Sequence, residues 1–498
     1  MPAPPDRAST SAPTETSDRD SIPGTSDRSS TSAAYSGVEK SLLRRWPETK
    51  LDPSLDRIAA LCDLMGQPQR AYPVVHLTGT NGKTSTARMV DTLLRGLGLR
   101  TGRSTSPHLQ SMTERISIDG LPLTPERFIE VYDEVAPYAE VIDRSGDQPL
   151  SFFEFITAMG FAAFADAPVD AGIIEVGMGG SWDATNVADA AVAVVTPIGV
   201  DHARYLGDTP GDIAIEKAGI IKSGSFAVLA QQPVDAAEVL RHHAAEVGAT
   251  VVQEGLEFGV VERRPGMGGQ LLTLQGLGGT YDEIFLPLYG SHQAQNAACA
   301  LATVETFTGG KGLEAGLDIE VVREAFAQVT SPGRLEVVRR SPTVLIDAAH
   351  NPHGARASAE AIQEAFTFSP LIGVCGVMAD KDIEGLLDAL EPILSTIICT
   401  QNSTPRCLPA DDLADAARGI FGADRVEVVP QLDDAIDRAV GLADAGQPDG
   451  SVGFGAFDDD TWGSSDFGGA SGGFGGGGVL VTGSVITAGE ARVLLGGT

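Results

Sequence analysis

A short apolar run, Tyr-Pro-Val-Val-His-Leu at 72–77, leads directly into Thr-Gly-Thr-Asn-Gly-Lys-Thr-Ser (78–85), and a stretch of helical spacing continues from there to Leu97. Strand, glycine-rich turn and helix in that order make a βα unit, whose next strand must return parallel to the first. Two later runs repeat the strand signature, Ala-Gly-Ile-Ile-Glu-Val-Gly-Met (171–178) and Ala-Ala-Val-Ala-Val-Val-Thr-Pro-Ile-Gly (190–199). Near-continuous apolarity of this kind is what parallel strands covered on both faces require. Helical patterns flank these strands, around 151–165 and 209–221. After Ser331-Pro332-Gly333 the alternation restarts with Thr-Val-Leu-Ile-Asp, Leu-Ile-Gly-Val-Cys, Thr-Ile-Ile-Cys, Val-Glu-Val-Val and Gly-Val-Leu-Val-Thr. The chain therefore reads as two α/β units, 38–330 and 333–498, meeting at that Pro-Gly turn.

The turn at 78–85 carries chemistry. Its glycines let backbone N–H groups converge on phosphate oxygens, at a helix N-terminus that favours negative charge. Lys83 is placed to reach β/γ-phosphates and the Thr84 hydroxyl to meet Mg²⁺. The full G-x-x-x-x-G-K-[ST] pattern is not met, because Leu77 stands at its first glycine; Gly79, Thr80, Asn81, Gly82, Lys83 and Thr84 form a shorter G-x-x-G-K-T loop. The expected fold is thus a P-loop-type, mostly parallel sheet domain followed by a smaller Rossmann-like α/β domain.

Charge narrows the partners. There are 35 Lys and Arg against 67 Asp and Glu, a net charge of −32, so the surface repels a nucleic-acid backbone and an anionic substrate must be held by local cations, amides or metal. Only seven residues are lysine (40, 50, 83, 217, 222, 311 and 381), which singles each one out. Five scattered cysteines without a C-x-x-C pair argue against a disulfide framework and against zinc. No apolar run suits a membrane span and no secretory leader opens the chain, so a cytoplasmic, monomeric protein without membrane or nucleic-acid partners is expected. Residues 1–34 read as a disordered Ser/Thr/Pro/Asp tail. The stretch 453–478, with 11 glycines and no Val, Ile, Leu or Met, reads as a flexible insertion.

Three separated segments, Gly-Thr-Asn-Gly-Lys-Thr-Ser at 79–85, Thr-Ser-Pro-His-Leu at 105–109 and Glu-Val-Gly-Met-Gly-Gly-Ser-Trp-Asp-Ala-Thr-Asn at 175–186, occur in the order seen in the folylpolyglutamate synthase/dihydrofolate synthase family of Mur-ligase-like enzymes, which the chain resembles from about residue 38 onward. The resemblance implies an ATP-dependent ligase that adds L-glutamate to dihydropteroate and to reduced folate glutamates through an acyl phosphate, using ATP and two Mg²⁺ ions, with a monovalent cation as a further candidate.

Bottom-up and by resemblance, the same residues recur. Glu175 stands near the C-terminal end of an apolar strand, the edge at which open α/β sheets bind ligands, and a carboxylate buried there needs a partner. His202 follows the next strand, 27 residues on, and Ser106 precedes a proline. The resemblance implies that Thr84, Ser106, Glu175 and His202 hold magnesium. It also implies that Lys217, on the helix after His202, is carbamylated and serves catalysis with Lys83, Glu175 and His202; Lys222 fits that pattern less well. Asn296 resembles an adenine contact and Arg334 is placed to fork onto phosphates. Asp347 corresponds to a ribose contact and His350 to a phosphate neighbour, while Lys381 and Asp382 fall where the glutamate site is implied. Phe153, Asp183 and Ala184 correspond to a pterin pocket, in which Ser181-Trp182 replaces a more familiar Arg-Leu pair. The competing readings are a monofunctional folylpolyglutamate synthase, a Mur-type cell-wall ligase (disfavoured because only about 40 ordered residues precede Gly79, too few for a further domain) and a silent nucleotide-binding protein.

Overall fold

The computed structural model describes residues 25–47, 54–146, 148–309, 316–445 and 475–497. Strands β1 (Val74–Thr78), β2 (Thr101–Ser104), β3 (Ile116–Ile118), β4 (Leu121–Pro122), β5 (Ala171–Glu175), β6 (Ala190–Val195), β7 (Phe226–Leu229) and β8 (Thr250–Gln253) form one sheet in the order β4-β3-β2-β5-β1-β6-β7-β8. All pairings from β2 to β8 are parallel, and β3 and β4 close one edge as an antiparallel hairpin. β1 and β5 are buried at every position, as their unbroken apolarity predicts.

The strand order positions the site. Because β5 and β6 flank β1, and β2 lies beyond β5, the loops leaving β2, β5, β1 and β6 emerge side by side on one edge of the sheet. The 79–82 turn, Ser106 and His202 sit on the loops after β1, β2 and β6, and Glu175 is the last residue of β5. On one face of the sheet, Val75 and Leu77 pack with Met89 and Leu93 of helix Lys83–Gly96 and with Leu301 and Val304 of helix Ser291–Gly309. On the other, Val74 and Ile174 meet Phe155, Phe161 and Phe164 of helix Phe152–Asp166. At about 25 cal/mol per Å², each such side chain contributes roughly 2 kcal/mol of burial.

A three-stranded antiparallel sheet follows, β9 (Gly259–Gly266), β10 (Gly269–Gln275) and β11 (Thr280–Leu286), which the sequence pattern did not announce. The second α/β unit is built on β12 (Glu336–Arg340), β13 (Thr343–Ile346), β14 (Thr367–Cys375), β15 (Thr396–Cys399), β16 (Val426–Val428) and β17 (Gly475–Thr482), in the order β12-β13-β17-β14-β15-β16. Its pairings are parallel apart from β12 with β13.

Two expectations are corrected. The tail expected to reach residue 34 turns helical at Thr25, and helix Thr25–Leu43 is pinned by buried Val38 and Leu42 and by Tyr35, whose ring meets Phe128 edge-on at 5.7 Å. Residues 1–24 lie outside the described residues. Of the glycine-rich insertion expected over 453–478, all but its last four residues also lie outside them, and Gly475–Gly478 open β17. Gly478 pairs with Thr343 and Leu371, and a Cβ there would meet the Phe368 ring at 2.5 Å, so close strand packing and not looseness accounts for that glycine. Among the described residues no helix is long and apolar enough to cross a membrane. The five cysteines are all buried and free.

Candidate active site

The loop after β1 wraps the start of helix Lys83–Gly96. Gly82 sits at its N-cap with φ +88°, and a Cβ there would strike the Asn296 side-chain oxygen at 2.5 Å, so both the backbone angle and the close approach require glycine. Lys83 Nζ donates to the carbonyl of Gly79 at 3.0 Å and to that of Thr80 at 3.3 Å. Lys217 Nζ donates to the same Gly79 oxygen at 2.9 Å. Two ammonium groups thus converge on one carbonyl in a buried site. Lys217 gets there because helix Pro210–Ala218 is fixed at its start by a reciprocal Thr209–Asp212 cap. Burial, with the charge of Lys83, pushes the Lys217 amine down to about 7, despite the opposing pull of Asp201 and Asp183.

Glu175, the last residue of β5, is buried at 2% exposure and accepts the Thr84 hydroxyl at 2.9 and 3.1 Å on its two oxygens. The Ser106 amide approaches the same carboxylate at 3.4 Å. Burial raises the Glu175 carboxyl, opposed by the Lys83 charge, the Thr84 and Ser106 hydrogen bonds and the Arg334 charge. A carboxylate so placed is a receptor for further positive charge. His202 occupies the loop after β6 in a left-handed conformation, φ +53°, and burial holds its ring down to about 4, leaving it neutral near pH 7 with a lone pair to offer.

Asp201, which sequence reasoning passed over, ties this loop to the second unit. Its Oδ1 accepts Lys381 Nζ at 2.8 Å, and its Oδ2 accepts Asn351 Nδ2 at 3.2 Å and lies 3.6 Å from His350 Nε2. Burial alone would raise the Asp201 carboxyl, but the contact with His350 and the charges of Lys381 and His202 together hold it far below the usual carboxylate range. Asn351 also caps helix Pro352–Ala365 and donates to Asn81 Oδ1 at 3.2 Å; Asn81 Nδ2 meets His353 Nδ1 at 3.1 Å. The cleft is therefore stitched by residues 150 to 272 positions apart. The local signal was present: Asp201 directly precedes the histidine that was noticed, and Asn351 follows His350.

Other expected residues fall as follows. Asp347 is buried and accepts the amides of Leu335 and Ala349 and the Ser358 hydroxyl, so it fixes the turn after β13. His350 Nδ1 pairs with the Ala348 carbonyl at 3.0 Å. The Arg334 charge acts on both Lys83 and Glu175. Asn296 is buried beside Gly82 and donates to Gln293 at 3.1 Å. Lys381 is engaged with Asp201, and Asp382 caps helix Ile383–Leu390. Lys222 donates to the carbonyls of Asn186 and Ala188, both at 2.7 Å, a loop-holding role away from Gly79.

On the far side of Glu175, Phe152 and Phe155 enter the core while Phe153 stays half-buried, its ring lying 2.6 Å from where a Cβ on Gly177 would stand. Ala184 is buried, and Asp183 accepts the amides of Met178 and Thr185, closing the 177–186 loop beneath that ring. Ser181 bonds the Glu216 carbonyl and Trp182 packs near Gly179, so this pair braces the loop against the Lys217 helix.

The donor set suits magnesium. Thr84 and Glu175 present hard oxygens in mutual contact, next to a loop shaped for phosphate. Among the described residues no group of three or more His, Cys, Asp or Glu could cage a metal ion.

Residues 141–304 match the Mur ligase middle domain and residues 333–456 the Mur ligase glutamate ligase domain. The chain is 50% identical over 472 residues to the dihydrofolate synthase/folylpolyglutamate synthase of Mycobacterium tuberculosis, covering 92% of this chain and 93% of that protein. The structure of Mycobacterium tuberculosis folylpolyglutamate synthase complexed with ADP and AMPPCP superposes with TM-score 0.84 at 48% identity, covering 94% of this chain and 99% of that one. E. coli FolC in complex with DHPP and ADP superposes with TM-score 0.76 at 27% identity, covering 94% and 97%.

Proposed function

The chain belongs to the dihydrofolate synthase/folylpolyglutamate synthase family and is an ADP-forming amide ligase; from that premise we propose how its own residues join L-glutamate to dihydropteroate and to folate glutamates. The observation that carries the proposal is the convergence of Lys83, Thr84, Ser106, Glu175 and Lys217 on the edge of β2-β5-β1-β6, with Arg334 and the Asp201–Lys381 pair closing over it.

The loop amides, Lys83 and Arg334 hold the triphosphate, Asn296 faces the adenine, and Asp347 and His350 flank the ribose and phosphates. Thr84, Ser106, Glu175 and His202 would hold magnesium, which would supply charge neutralisation for the phosphoryl transfer. The carboxylate oxygen attacks the γ-phosphorus as the bond to ADP breaks. The glutamate amine then attacks the acyl phosphate and phosphate leaves. Closure of the cleft keeps water from the acyl phosphate.

Lys217 gains from carbamylation. As an ammonium it repels Lys83 across the shared Gly79 carbonyl. With its amine depressed to about 7, a large fraction is neutral near physiological pH and can attack CO₂, forming a C–N bond and releasing one proton. The resulting anion turns a repulsion into an attraction. Phe153 over Gly177, with Asp183 below, supports a pterin-side wall.

The test is ADP release measured separately with dihydropteroate plus glutamate and with tetrahydrofolate plus glutamate. Release with both is expected. Release with tetrahydrofolate alone would make the enzyme a monofunctional folylpolyglutamate synthase, and release with neither would refute the ligase reading.

A further inference from the structure

His76 lies in the middle of β1, fully buried, on the strand face that also carries Val74 toward helix Phe152–Asp166. The catalytic account gives it no part. Its Nε2 is 2.8 Å from the Thr185 hydroxyl, and that hydroxyl is 2.5 Å from Asp183 Oδ1. Asp183 also accepts the Thr185 amide at 3.0 Å on Oδ1 and the Met178 amide at 2.9 Å on Oδ2.

The direction of the chain follows from proton counting. A carboxylate ringed by N–H donors is an acceptor, so the Thr185 hydroxyl spends its one proton on Asp183. Thr185 must then accept from His76, which fixes the imidazole as the Nε2–H tautomer. Two independent features agree. Nδ1 of His76 has no hydrogen-bond partner among the described residues, as an unprotonated nitrogen against an apolar wall would. Burial, with the Lys222 charge, also pushes the ring down to about 3, so it carries a single proton.

We infer that His76 is a positioning residue for the pterin side of the site: through Thr185 it orients Asp183 and locks the 177–186 loop under Phe153, without touching substrate. This rests on the reading of Phe153 and Asp183 as the pterin wall. A histidine 2.8 Å from the loop hydroxyl can set the shape of that wall because, among the described residues, the other side-chain hydrogen bond from β1 to the loop is Thr78 Oγ1 to the Gly179 carbonyl.

The experiment is steady-state kinetics of His76→Leu and His76→Gln with dihydropteroate, ATP and glutamate varied in turn, with thermal melting alongside. His76→Leu removes the donor at similar volume and is expected to raise KM for dihydropteroate about tenfold, the loss of one net hydrogen bond, with KM for ATP within about twofold. His76→Gln, whose Nε2 can donate from a similar position, is expected to restore most of that loss. Thr185→Val cuts the same link from its other end and carries the same prediction should His76→Leu fail to fold. An unchanged dihydropteroate KM in His76→Leu or Thr185→Val, or an equal rise for ATP, overturns the inference. Phe153→Ala and Asp183→Asn serve as controls: if neither moves the dihydropteroate KM, the pterin-wall reading fails; if they do and the His76 variants do not, only the positioning role fails.

Discussion

Lys381→Met should open the cleft without unfolding either unit. The Lys381–Asp201 pair has both side chains only 10% exposed, at 2.8 Å. Removing one partner of a buried ion pair costs about 3–5 kcal/mol, because the other charge is left uncompensated. Here Asp201 keeps Asn351 at 3.2 Å and the His202 amide at 2.8 Å, so the lower end applies, about 3 kcal/mol. The pair joins the loop after β6 to the loop after β14 and neither residue belongs to any of the five apolar clusters, so that energy is expected to bear on domain closure more than on the cores. At about 1.4 kcal/mol per decade, closure is disfavoured roughly 100-fold. ADP release at subsaturating ATP should fall by about that factor, while the melting profile moves little. Asp201→Asn should cost less, since an amide oxygen still accepts from Lys381, and the double variant should cost no more than the worse single one. A Lys381→Met enzyme within threefold of the parent, or a strictly additive double variant, would refute the clamp. A rise confined to the glutamate KM would instead assign Lys381 to the amino-acid substrate. The pH sign is fixed too. A carboxyl held below its unfolded value stabilises above the unfolded pKa and loses that contribution only as pH falls through the folded one, so Asp201 adds no pH dependence between roughly pH 5 and 8.

Lys83→Ala removes the ammonium held on the Gly79–Thr80 turn, the group proposed to meet the phosphates, and should lower ADP release by about 10³-fold; retained activity would remove Lys83 from the mechanism. For Lys217, the depressed amine predicts that activity falls as pH drops through about 7, where protonation blocks CO₂ addition. A carbamate carbon signal in ¹³C-bicarbonate spectra, lost in Lys217→Ala, checks it, and its absence from the active enzyme would sink the assignment. Gly489→Ala would drive a methyl into the Leu109 carbonyl oxygen, where helix Val485–Leu494 meets the loop after β2. Forcing that contact apart should cost about 1–3 kcal/mol and weaken acyl-substrate binding more than ATP binding, measured as separate KM values; equal effects on both would argue against loop coupling.

Much of the site was legible because parallel strands advertise themselves by unbroken apolarity and their loops carry the chemistry at a known end. The reading still lacked strand order. In sequence the loops run β1, β2, β5, β6; only the insertion of β5 between β2 and β1 brings Ser106 and Thr84 onto the same Glu175. The hairpin of β3 and β4 had its signal in Asp119-Gly120, where both residues take positive φ, and it went unread beside longer apolar runs. Helix Thr25–Leu43 failed differently. Its serines and threonines suggested a solvated tail, but Tyr35, Val38 and Leu42 recur at helical spacing and find Phe128 and its neighbours, so tertiary burial outweighed composition. Asp201 was illegible in principle as a clamp, since its partner lies 180 residues away.

In a chain of net charge −32 with seven lysines, three of them, Lys83, Lys217 and Lys381, stand at one cleft, and Arg334 acts on the same ground. The protein elsewhere repels ATP, so the cleft must reverse its own field locally. It does so with unequal means. Lys381 is ion-paired with Asp201 and works as a tie between domains. Lys83 remains the cation for phosphate, and Lys217, crowded against it, is pushed toward the neutral amine from which an anion can be made. Three identical side chains thus take three different parts through their burial and neighbours. Exchanging Lys217 for arginine should therefore fail, since arginine can neither be deprotonated beside Gly79 nor carbamylated.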